Sequence, residues 1–450
     1  MSGRTPLHDA VEEYLQKGYA RFHMPGHKGT GSEALAWDIT EVEGADSLYH
    51  AAGPILELEK QIAALYGAKR TLLSAGGATL CIQTMLALAC ETGSKVVMSR
   101  NIHQAAIHTC ALLDLSPVWI YPEQTDGWFL GRYSPTAVRE ALKAHPDAAA
   151  VYLTSPDYFG VISDLQGIAA VCREKDVPLL VDNAHGAHLK FLPQRYGQLH
   201  PMDCGAAICC DSLHKTMPAM TGAALLHLGE QRFCQDAKRR MALFGSTSPS
   251  YPILLSCERA AAYAESQEAQ AGFDETARRL DRLRLLALQK GFALPQGVSD
   301  PAKLVLGFAA RGFSAQELKA KLHASGIEPE YVSNTACVLM ANGLNTAEDY
   351  QRVERFLLDL DAGTRVCAPM QRLAKLEQAC SVRQAVFAQQ QPVALEQALG
   401  RVAADASCPC PPGVPVVMPG ERINEQAMVL LKDYGITQLQ VISNKKTVEI

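Results

Sequence analysis

A lysine near the middle of the chain has surroundings that suit reaction with a carbonyl compound. Lys215 closes the segment Asp211-Ser212-Leu213-His214-Lys215, which follows an apolar run at 206–210. A lysine at the end of a buried strand can have a lowered pKa, and its neutral amine forms a Schiff base with an aldehyde. The competing interpretation of these residues alone is an ordinary surface lysine.

A carboxylate follows another apolar run and could belong to the same site as Lys215. Asp182 follows the run 179–181 and precedes Asn183-Ala184-His185-Gly186. Pyridoxal phosphate needs an acidic partner for its ring nitrogen, because the protonated ring is the electron sink. The alternative role for Asp182 is a helix N-cap. His185 and His188 could suggest a metal, but no third ligand cluster accompanies them, and we predict no metal site.

A glycine-rich turn could hold the phosphate of such a cofactor. The run 70–73 is followed by Ser74-Ala75-Gly76-Gly77-Ala78-Thr79, a pattern that predicts a strand, a turn and a helix start. Backbone N–H groups at a helix N-terminus, together with a hydroxyl, bind phosphate. Gly77, Ala78 and Thr79 are therefore candidates. The segment matches neither a P-loop nor a dinucleotide-binding fingerprint.

A histidine follows one more strand-like run. His103 comes shortly after the run 95–98. Its imidazole could stack on an aromatic cofactor, whereas a single histidine at such a position is more often a hydrogen-bonded loop residue. Each of the four features is weak alone. Their order along the chain, a phosphate turn, a stacking histidine, an acid and a lysine, favours a pyridoxal phosphate site.

These residues need a scaffold that brings strand ends together, and the chain alternates strands and helices accordingly. Apolar runs typical of strands lie at 70–73, 95–98, 117–120, 149–153, 179–181, 206–210 and 223–228. Helical patterns lie at 55–66, 78–90, 135–144 and 165–175. This alternation predicts an α/β fold with a mostly parallel sheet covered on both faces. Ligands of such sheets bind at the carboxyl ends of the strands.

The rest of the chain predicts a second, smaller domain. A long helical region at 257–290 resembles a connector, and a smaller α+β unit follows it. We therefore expect an N-terminal arm at 1–48, a large cofactor-binding domain at 49–290 and a small C-terminal domain at 291–450.

Composition and charge exclude several classes of protein. The chain has 450 residues, of which 48% are hydrophobic and 20% charged, so it is neither disordered nor fibrous. A net charge of −5 gives no basic surplus for nucleic acid or an anionic membrane. No apolar run reaches the ~18 residues of a membrane span. The 14 cysteines form no CxxC pair, and we expect no secretory signal, reduced thiols and a cytoplasmic location.

Longer motifs connect the chain to a known family. They are 22–29 (FHMPGHKG), 38–41 (DITE), 182–188 (DNAHGAH), 212–216 (SLHKT), 246–251 (STSPSY), 411–415 (PPGVP) and 419–421 (PGE). Ser-x-His-Lys by itself also occurs in cysteine desulfurases, but the combination is specific. The chain resembles the Orn/Lys/Arg decarboxylases, within the fold-type I pyridoxal-phosphate enzymes, from about residue 5 to 425. It is similar to their short form, which lacks the N-terminal wing domain.

The resemblance implies roles around the cofactor ring. Lys215 would bind the aldehyde of pyridoxal phosphate. Asp182 would pair with the ring nitrogen. His103 and Ala184 would cover the two faces of the ring, and His185 would lie near the phenolic oxygen or the substrate.

The resemblance also implies which groups hold the phosphate and the substrate. The phosphate would contact Gly77, Ala78, Thr79, Ser212 and His214. The stretch Ser246, Thr247 and Ser248 would approach the phosphate of the neighbouring subunit of a dimer. Glu421 would recognise the distal cation of the substrate, and the alternative for this residue is a solvated loop carboxylate.

The chain departs from the family's pattern at three places. Gly76-Gly77-Ala78 stands where Asn-Gly-Thr is usual, so one phosphate hydroxyl is missing. Asp211 and Leu213 replace a more usual Gln and Thr around the lysine, and a carboxylate at 211 near a phosphate would be unfavourable unless it points away. Cys410 stands where an aromatic residue is common, within the proline- and glycine-rich loop 408–420.

We therefore expect a pyridoxal-phosphate-dependent decarboxylase of arginine, lysine or ornithine, which would yield a polyamine precursor. Its partners would be a small basic amino acid and other copies of itself in a homodimer or higher oligomer, with active sites at the interface. Neither nucleic acid nor a membrane is expected as a partner. Two alternatives stay open: another fold-type I lyase, of desulfurase or aldolase type, and a non-catalytic relative that binds pyridoxal phosphate.

Overall fold

The structure, a computed structural model, describes residues 5–123, 129, 131–361, 363, 375–406 and 415–443. Within these ranges no helix is both long and apolar enough to cross a bilayer. The chain forms two compact units, of which the first combines 1–89, 178–278 and 341–344 and the second combines 90–177, 279–340 and 345–450. The division of the sequence at residues 48 and 290 stays a prediction.

The strands of the described residues form three sheets. They are β1 (Arg70–Ser74), β2 (Lys95–Ser99), β3 (Ser116–Ile120), β4 (Ala148–Thr154), β5 (Leu179–Asp182), β6 (Ile208–Ser212), β7 (Ala224–Leu228), β8 (Lys303–Leu306), β9 (Tyr331–Val332), β10 (Cys337–Met340), β11 (Gln390–Ala394) and β12 (Gln438–Ile442). The large sheet has the order β1-β7-β6-β5-β4-β2-β3, and the small sheets have the orders β8-β10-β9 and β11-β12.

The large sheet is mostly parallel. Strand β2 runs parallel to β3 and β4, and β5 runs parallel to β6. Strand β7 is antiparallel to both of its neighbours, β1 and β6. Each of the seven predicted strand runs overlaps a strand of this sheet. The predicted α/β fold with a mostly parallel sheet is confirmed.

Helices connect the strands of the described chain. The α-helices are α1 (Pro6–Gln16), α2 (Glu33–Ala36), α3 (Pro54–Tyr66), α4 (Gly77–Ala89), α5 (Gln104–Leu113), α6 (Pro135–Ala144), α7 (Leu165–Glu174), α8 (Pro201–Cys204), α9 (Leu213–Thr216), α10 (Ala237–Ala242), α11 (Tyr251–Glu265), α12 (Gln267–Gln289), α13 (Ala315–Ala324), α14 (Ala347–Asp359), α15 (Val382–Phe387) and α16 (Glu425–Asp433). Short 3₁₀ helices lie at Leu48–His50, Ala187–Phe191, Gln194–Tyr196, Gln231–Phe233, Phe308–Arg311 and Leu395–Gln397.

Helix α3 shows how the sequence fixes the core of the first unit. Pro54 starts the helix, where its missing N–H costs no hydrogen bond, and Gly67 ends it in the left-handed conformation at φ 73°. Ile55, Leu58 and Ile62 repeat at helical spacing and are buried in one cluster with residues of α1 and β1. The helix predicted at 55–66 is confirmed.

The helical region predicted at 257–290 consists of two helices, α11 and α12, which meet at Ser266. The Ser266 hydroxyl donates to the carbonyl of Tyr263 (2.7 Å) and accepts from the N–H of Ala269 (3.0 Å). One serine therefore closes the first helix and caps the second. Helical propensity alone did not reveal this break, because the flanking residues all favour helix.

Asp157, which follows β4 in the second unit, gives a testable pH dependence. Its carboxylate is buried and accepts from the N–H of Val161 (2.8 Å). Burial raises the pKa of Asp157 to about 6, although Val161 and Lys303 oppose the rise. Because the folded protein then binds this proton more tightly than the unfolded chain, the free energy of unfolding falls as pH rises from about 4 to 6.

We expect Asp157→Asn to remove that dependence and to stabilise the protein at pH 7 by about 1–3 kcal/mol. Denaturant unfolding of both proteins at pH 4.5 and pH 7.5 measures the change. If the two proteins lose stability equally between these pH values, Asp157 is not the group that titrates.

Candidate active site

Three strand ends of the first unit are aligned at one edge of the sheet. Ser74 at the end of β1 lies opposite Ala224 of β7, which lies opposite Ser212 at the end of β6. Asp182 at the end of β5 lies opposite Cys210 of β6. Because β5 and β6 are parallel, their carboxyl ends meet at this edge, where ligands of such sheets bind. The predicted phosphate turn at 74–79, Asp182 and the segment 211–215 all lie at this edge of the sheet.

Lys215 lies in the short helix α9 and is half-buried, so the interpretation as an exposed surface lysine is wrong. Its Nζ lies 3.1 Å from Nε2 of His185. His185 is 6% exposed. The amine and the imidazole can therefore share a proton in a place that water reaches poorly. The predicted roles of both residues remain predictions, and the structure places their polar atoms in contact.

Asp182 is 1% exposed, and its Oδ1 accepts from the N–H of Ala184 (3.1 Å) and the thiol of Cys210 (3.6 Å). The alternative role as a helix N-cap is wrong, because the next helical segment begins after Gly186. The bond to Ala184 instead shapes the turn after β5. Ala184 is itself buried. A buried carboxylate at a strand end is the type of group that a cationic ring nitrogen requires.

The predicted phosphate turn does lie between a strand and a helix. The Ser74 hydroxyl donates to the carbonyl of Gly77 (3.0 Å) and accepts from the N–H of Gly76 (3.1 Å). The N–H of Gly77, at φ 65°, donates to the carbonyl of Gly222 (2.8 Å). That N–H is therefore engaged within the protein, and a phosphate contact of Gly77 stays a prediction. Ala78 and Thr79 lie in the first turn of α4, where Thr79 is exposed, and remain candidates.

Gly222 also connects this turn to the lysine segment. Its N–H donates to Nδ1 of His214 (3.3 Å), which lies 3.2 Å from the Ser212 hydroxyl. Burial lowers the pKa of His214, and the charge of Lys215 adds to the shift, while a hydrogen bond to Ala223 opposes it. His214 is therefore neutral at pH 7. Its Nδ1 also lies 3.5 Å from the carbonyl oxygen of Ala223.

A cavity of about 380 Å³ lies beside the phosphate turn. Thr79 and Gln83 line it from α4, and Ser246 and Ser248 line it from the loop after α10. Thr247 is exposed. The two serines thus share a cavity with Thr79 of the same chain. Their predicted approach to a neighbouring subunit stays a prediction.

His103 belongs to the second unit and is exposed. It is the N-cap of α5, where its Nδ1 accepts from the N–H of Ala105 (3.1 Å). This hydrogen bond fixes the ring at the start of the helix and leaves Nε2 as the protonated nitrogen of the neutral form. The bond agrees with a loop role, and stacking on a cofactor remains a prediction.

Glu421 is 1% exposed, so the alternative of a solvated loop carboxylate is wrong. Its two oxygens accept from Nη1 (2.6 Å) and Nη2 (2.7 Å) of Arg100, which is fully buried. Oε2 also accepts from the N–H of Met418 (2.8 Å). Both oxygens are thus engaged within the protein. The predicted contact with a substrate cation is untested, and this arrangement favours a structural role.

Arg100 is a residue that the sequence analysis missed. Its guanidinium lies 5.4 Å from the ring centre of Trp119 and 5.9 Å from that of Tyr121, and Nη2 donates to the carbonyl of Val416 (3.0 Å). The only local signal was a charged residue directly after a buried strand. Cys410 and the prolines at 411–412 lie outside the described residues.

Asp211 does point away from the lysine segment. It is fully buried and accepts from Nε2 of His200 (3.0 Å), Nε2 of His227 (3.2 Å) and Nδ2 of Asn183 (2.6 Å). Successive residues of a strand face opposite sides of the sheet, so Ser212 faces the other way. The carboxylate therefore does not oppose a phosphate at Ser212. His200 and His227 were not recognised from the sequence.

Comparison with known families assigns the chain on two segments. Residues 5–290 match the family model described as Orn/Lys/Arg decarboxylase, major domain. Residues 365–440 match the model described as Orn/Lys/Arg decarboxylase, C-terminal domain. The first match alone covers more than half of the chain.

Relatives and solved structures agree with this assignment. YaaO of Bacillus subtilis, an uncharacterized protein, is 29% identical over 99% of this chain and 97% of its own. An arginine decarboxylase of Bacillus subtilis is 27% identical over 94% of this chain and 92% of its own. The structure of a Francisella novicida lysine decarboxylase covers 98% of this chain and 82% of its own, with a TM-score of 0.83 at 17% identity, which confirms the fold. The protein belongs to the Orn/Lys/Arg decarboxylase family.

Proposed function

We propose that the protein decarboxylates a basic amino acid with pyridoxal phosphate as its cofactor. The observation that carries the proposal is the pair of site groups at neighbouring strand ends, a buried carboxylate at Asp182 and a half-buried amine at Lys215. They lie within the segment that matches the major domain of the decarboxylase family. The alternatives, another lyase or a non-catalytic relative, are not favoured by the family match.

The donor set of the first unit fits pyridoxal phosphate. Lys215 offers an amine to the aldehyde, and Asp182 offers a carboxylate to the ring nitrogen. The Thr79 hydroxyl borders a cavity at the start of α4, which suits a phosphate. When bound, pyridoxal phosphate supplies an electron sink for the electrons of the bond to the departing carboxylate.

The chain's own residues would then transfer protons and orient the cofactor. His185 Nε2, at 3.1 Å from Lys215 Nζ, can accept the proton that the lysine must lose before its amine reacts. The same pair can return a proton to the substrate carbon after carbon dioxide leaves. Asp182 is shielded from water, which strengthens its attraction for a cationic ring nitrogen.

Arginine is the first substrate to test. The relatives named arginine decarboxylase align with 92% to 97% of this chain, whereas the constitutive lysine decarboxylase of Escherichia coli aligns with 57%. The product would be agmatine, a precursor of polyamines. We further propose a cytoplasmic homodimer, in which Ser246, Thr247 and Ser248 lie near the interface.

The experiment is a product assay on the purified protein loaded with pyridoxal phosphate. Arginine, lysine and ornithine are supplied separately, and the products are identified by mass spectrometry. We expect one of agmatine, cadaverine or putrescine to accumulate, together with an equimolar amount of carbon dioxide. No amine from any of the three amino acids, in a protein that is loaded with the cofactor, would contradict the proposal.

The phosphate site gives a separate prediction. We expect Thr79→Val to weaken binding of pyridoxal phosphate by about 10- to 100-fold, the range for losing a hydrogen bond to a charged group. Absorbance titration measures the dissociation constant. Thr84→Val is the control, because Thr84 lies on the same helix but its hydroxyl donates to the carbonyl of Leu80 (2.7 Å). If all three proteins bind pyridoxal phosphate with equal affinity, Thr79 does not bind the phosphate.

A further inference from the structure

A buried carboxylate lies directly behind the site, on the far face of β6. Oδ2 of Asp211 accepts from Nε2 of both His200 (3.0 Å) and His227 (3.2 Å). Oδ1 accepts from Nδ2 of Asn183 (2.6 Å) and lies 3.6 Å from the thiol of Cys209. Four donors thus surround a carboxylate that has no exposed surface, which is the condition for a stable buried anion.

Both imidazoles direct Nε2 at Asp211, and other groups engage their Nδ1 atoms. Nδ1 of His200 accepts from the N–H of Met202 (3.3 Å), so its ring proton is on Nε2 and points to Asp211. Nδ1 of His227 lies 2.9 Å from the hydroxyl of Thr71, which can donate to it. Burial lowers the pKa of His227, although Asp211 opposes the shift. Burial alone would raise the pKa of Asp211, but His200 and His227 outweigh it and hold that pKa well below its usual range.

The same atoms do not form a good metal site. The ligand atoms of His200, Cys209 and Asp211 lie within 4.8 Å of one another. A metal on Nε2 of His200 would move the ring proton to Nδ1, where it would face the N–H of Met202. Two N–H groups directed at each other are repulsive. The geometry therefore favours a hydrogen-bonded network over a metal site.

The network reaches the site through Asn183, which directly follows Asp182. The Asn183 side chain lies under the turn that also carries Ala184 and His185. A Cβ atom on Gly186 would lie 2.1 Å from Oδ1 of Asn183. Gly186 has an ordinary φ of −129°, so this position requires glycine for the close approach of Asn183 rather than for backbone conformation.

We propose that Asp211 is a positioning residue for the pyridoxal phosphate site. Through Asn183 its carboxylate holds the turn that carries Asp182 and His185, and through the backbone of β6 it is joined to the segment from Ser212 to Lys215. The charged bond to Asn183 therefore sets the distance between the acid and the amine of the site. This inference rests on the proposed function, and it assigns a role to a residue at which the chain departs from the family's usual Gln.

The test compares Asn183→Ala and Asp211→Asn with the wild-type holoenzyme. Three quantities are measured for each: the dissociation constant for pyridoxal phosphate, the pH dependence of the visible band of the bound cofactor, and kcat and KM for amine formation. We expect both variants to lower kcat by about 10- to 100-fold with little change in KM, since a small displacement of reacting groups is that costly. In both variants we expect a shift of the pH at which the visible band of the bound cofactor is half converted.

Asp211→Asn replaces the carboxylate by an amide, whose N–H₂ group would face the donor groups of the surrounding side chains. It therefore disturbs the network at the acceptor, whereas Asn183→Ala removes one of the donors. The double variant is expected to lose about as much activity as the more impaired of the two single variants, because both substitutions break the contact between Asn183 and Asp211. Asp203→Asn is the control, since this carboxylate pairs with Lys190 close by but touches neither Asn183 nor Asp211. Wild-type behaviour is expected of it in all three measurements.

Each outcome decides the question. If both variants melt earlier but show wild-type kcat and a wild-type band profile once loaded, the network is only structural and the proposal is wrong. If Asp211→Asn fails to fold, Asn183→Ala decides alone, because Asp211 then keeps both histidine donors. If the wild-type protein makes no amine, the proposed function fails, and the cofactor titrations still test Asp211 by themselves.

Discussion

Replacement of Lys215 by alanine is expected to abolish amine formation, by at least about 1,000-fold in kcat/KM. Lys215 offers the amine that can form a Schiff base with an aldehyde, and this amine contacts His185 at 3.1 Å. The variant should also lose the visible absorbance of the bound cofactor. Product mass spectrometry and an absorbance spectrum measure the two effects.

Lys143→Ala is a suitable control for that experiment. Lys143 is an exposed residue of α6 and contributes nothing to the site. We expect it to keep wild-type activity and spectrum. Retention of more than about a tenth of the activity by Lys215→Ala would show that another lysine binds the cofactor.

The second large effect is expected at the buried ion pair between Arg100 and Glu421. Glu421→Gln keeps the shape of the side chain but leaves the Arg100 guanidinium without its charge partner. Breaking a buried pair in this way costs about 3–5 kcal/mol in the free energy of unfolding. Denaturant unfolding measures this loss. Replacing both residues by methionine should recover much of it, because the unpaired charge is then gone.

An exposed pair next to this one provides the control. Arg422 and Glu377 form a salt bridge of 3.1 Å with side chains 45% and 67% exposed. Glu377→Gln is expected to change the free energy of unfolding by no more than about 1 kcal/mol. If Glu421→Gln instead leaves stability unchanged and raises KM for basic amino acids, Glu421 binds the substrate cation, as the family resemblance implied.

Regular elements of the large sheet could be predicted from the sequence because their signals are local. Continuous apolar runs mark strands buried on both faces, and α3 has a proline at its start and a glycine at its end. The same reasoning placed Asp182 at the end of a strand and Lys215 shortly after one, since Asp182 directly follows such a run and Lys215 closes the short segment after another. Strand ends of a parallel sheet meet at one edge, so local patterns were sufficient for these two residues.

Long-range pairs could not be predicted in this way. Arg100 and Glu421 are 321 positions apart, and neither has a neighbour in sequence that indicates the other. The network of Asp211 depends on His200 and His227, which come from a helix cap and from β7. Asp211 therefore looked like an unfavourable neighbour of a phosphate, until the alternation of side chains along β6 placed it on the other face.

The most direct test of the account is to locate the lysine that holds the cofactor. The holoenzyme is treated with borohydride, which fixes pyridoxal phosphate to its lysine, and the digest is sequenced by mass spectrometry. The account predicts a single modified peptide, with the label on Lys215 of the segment 212–216. A label on any other lysine, with Lys215 unmodified in a protein that makes amine, would contradict it.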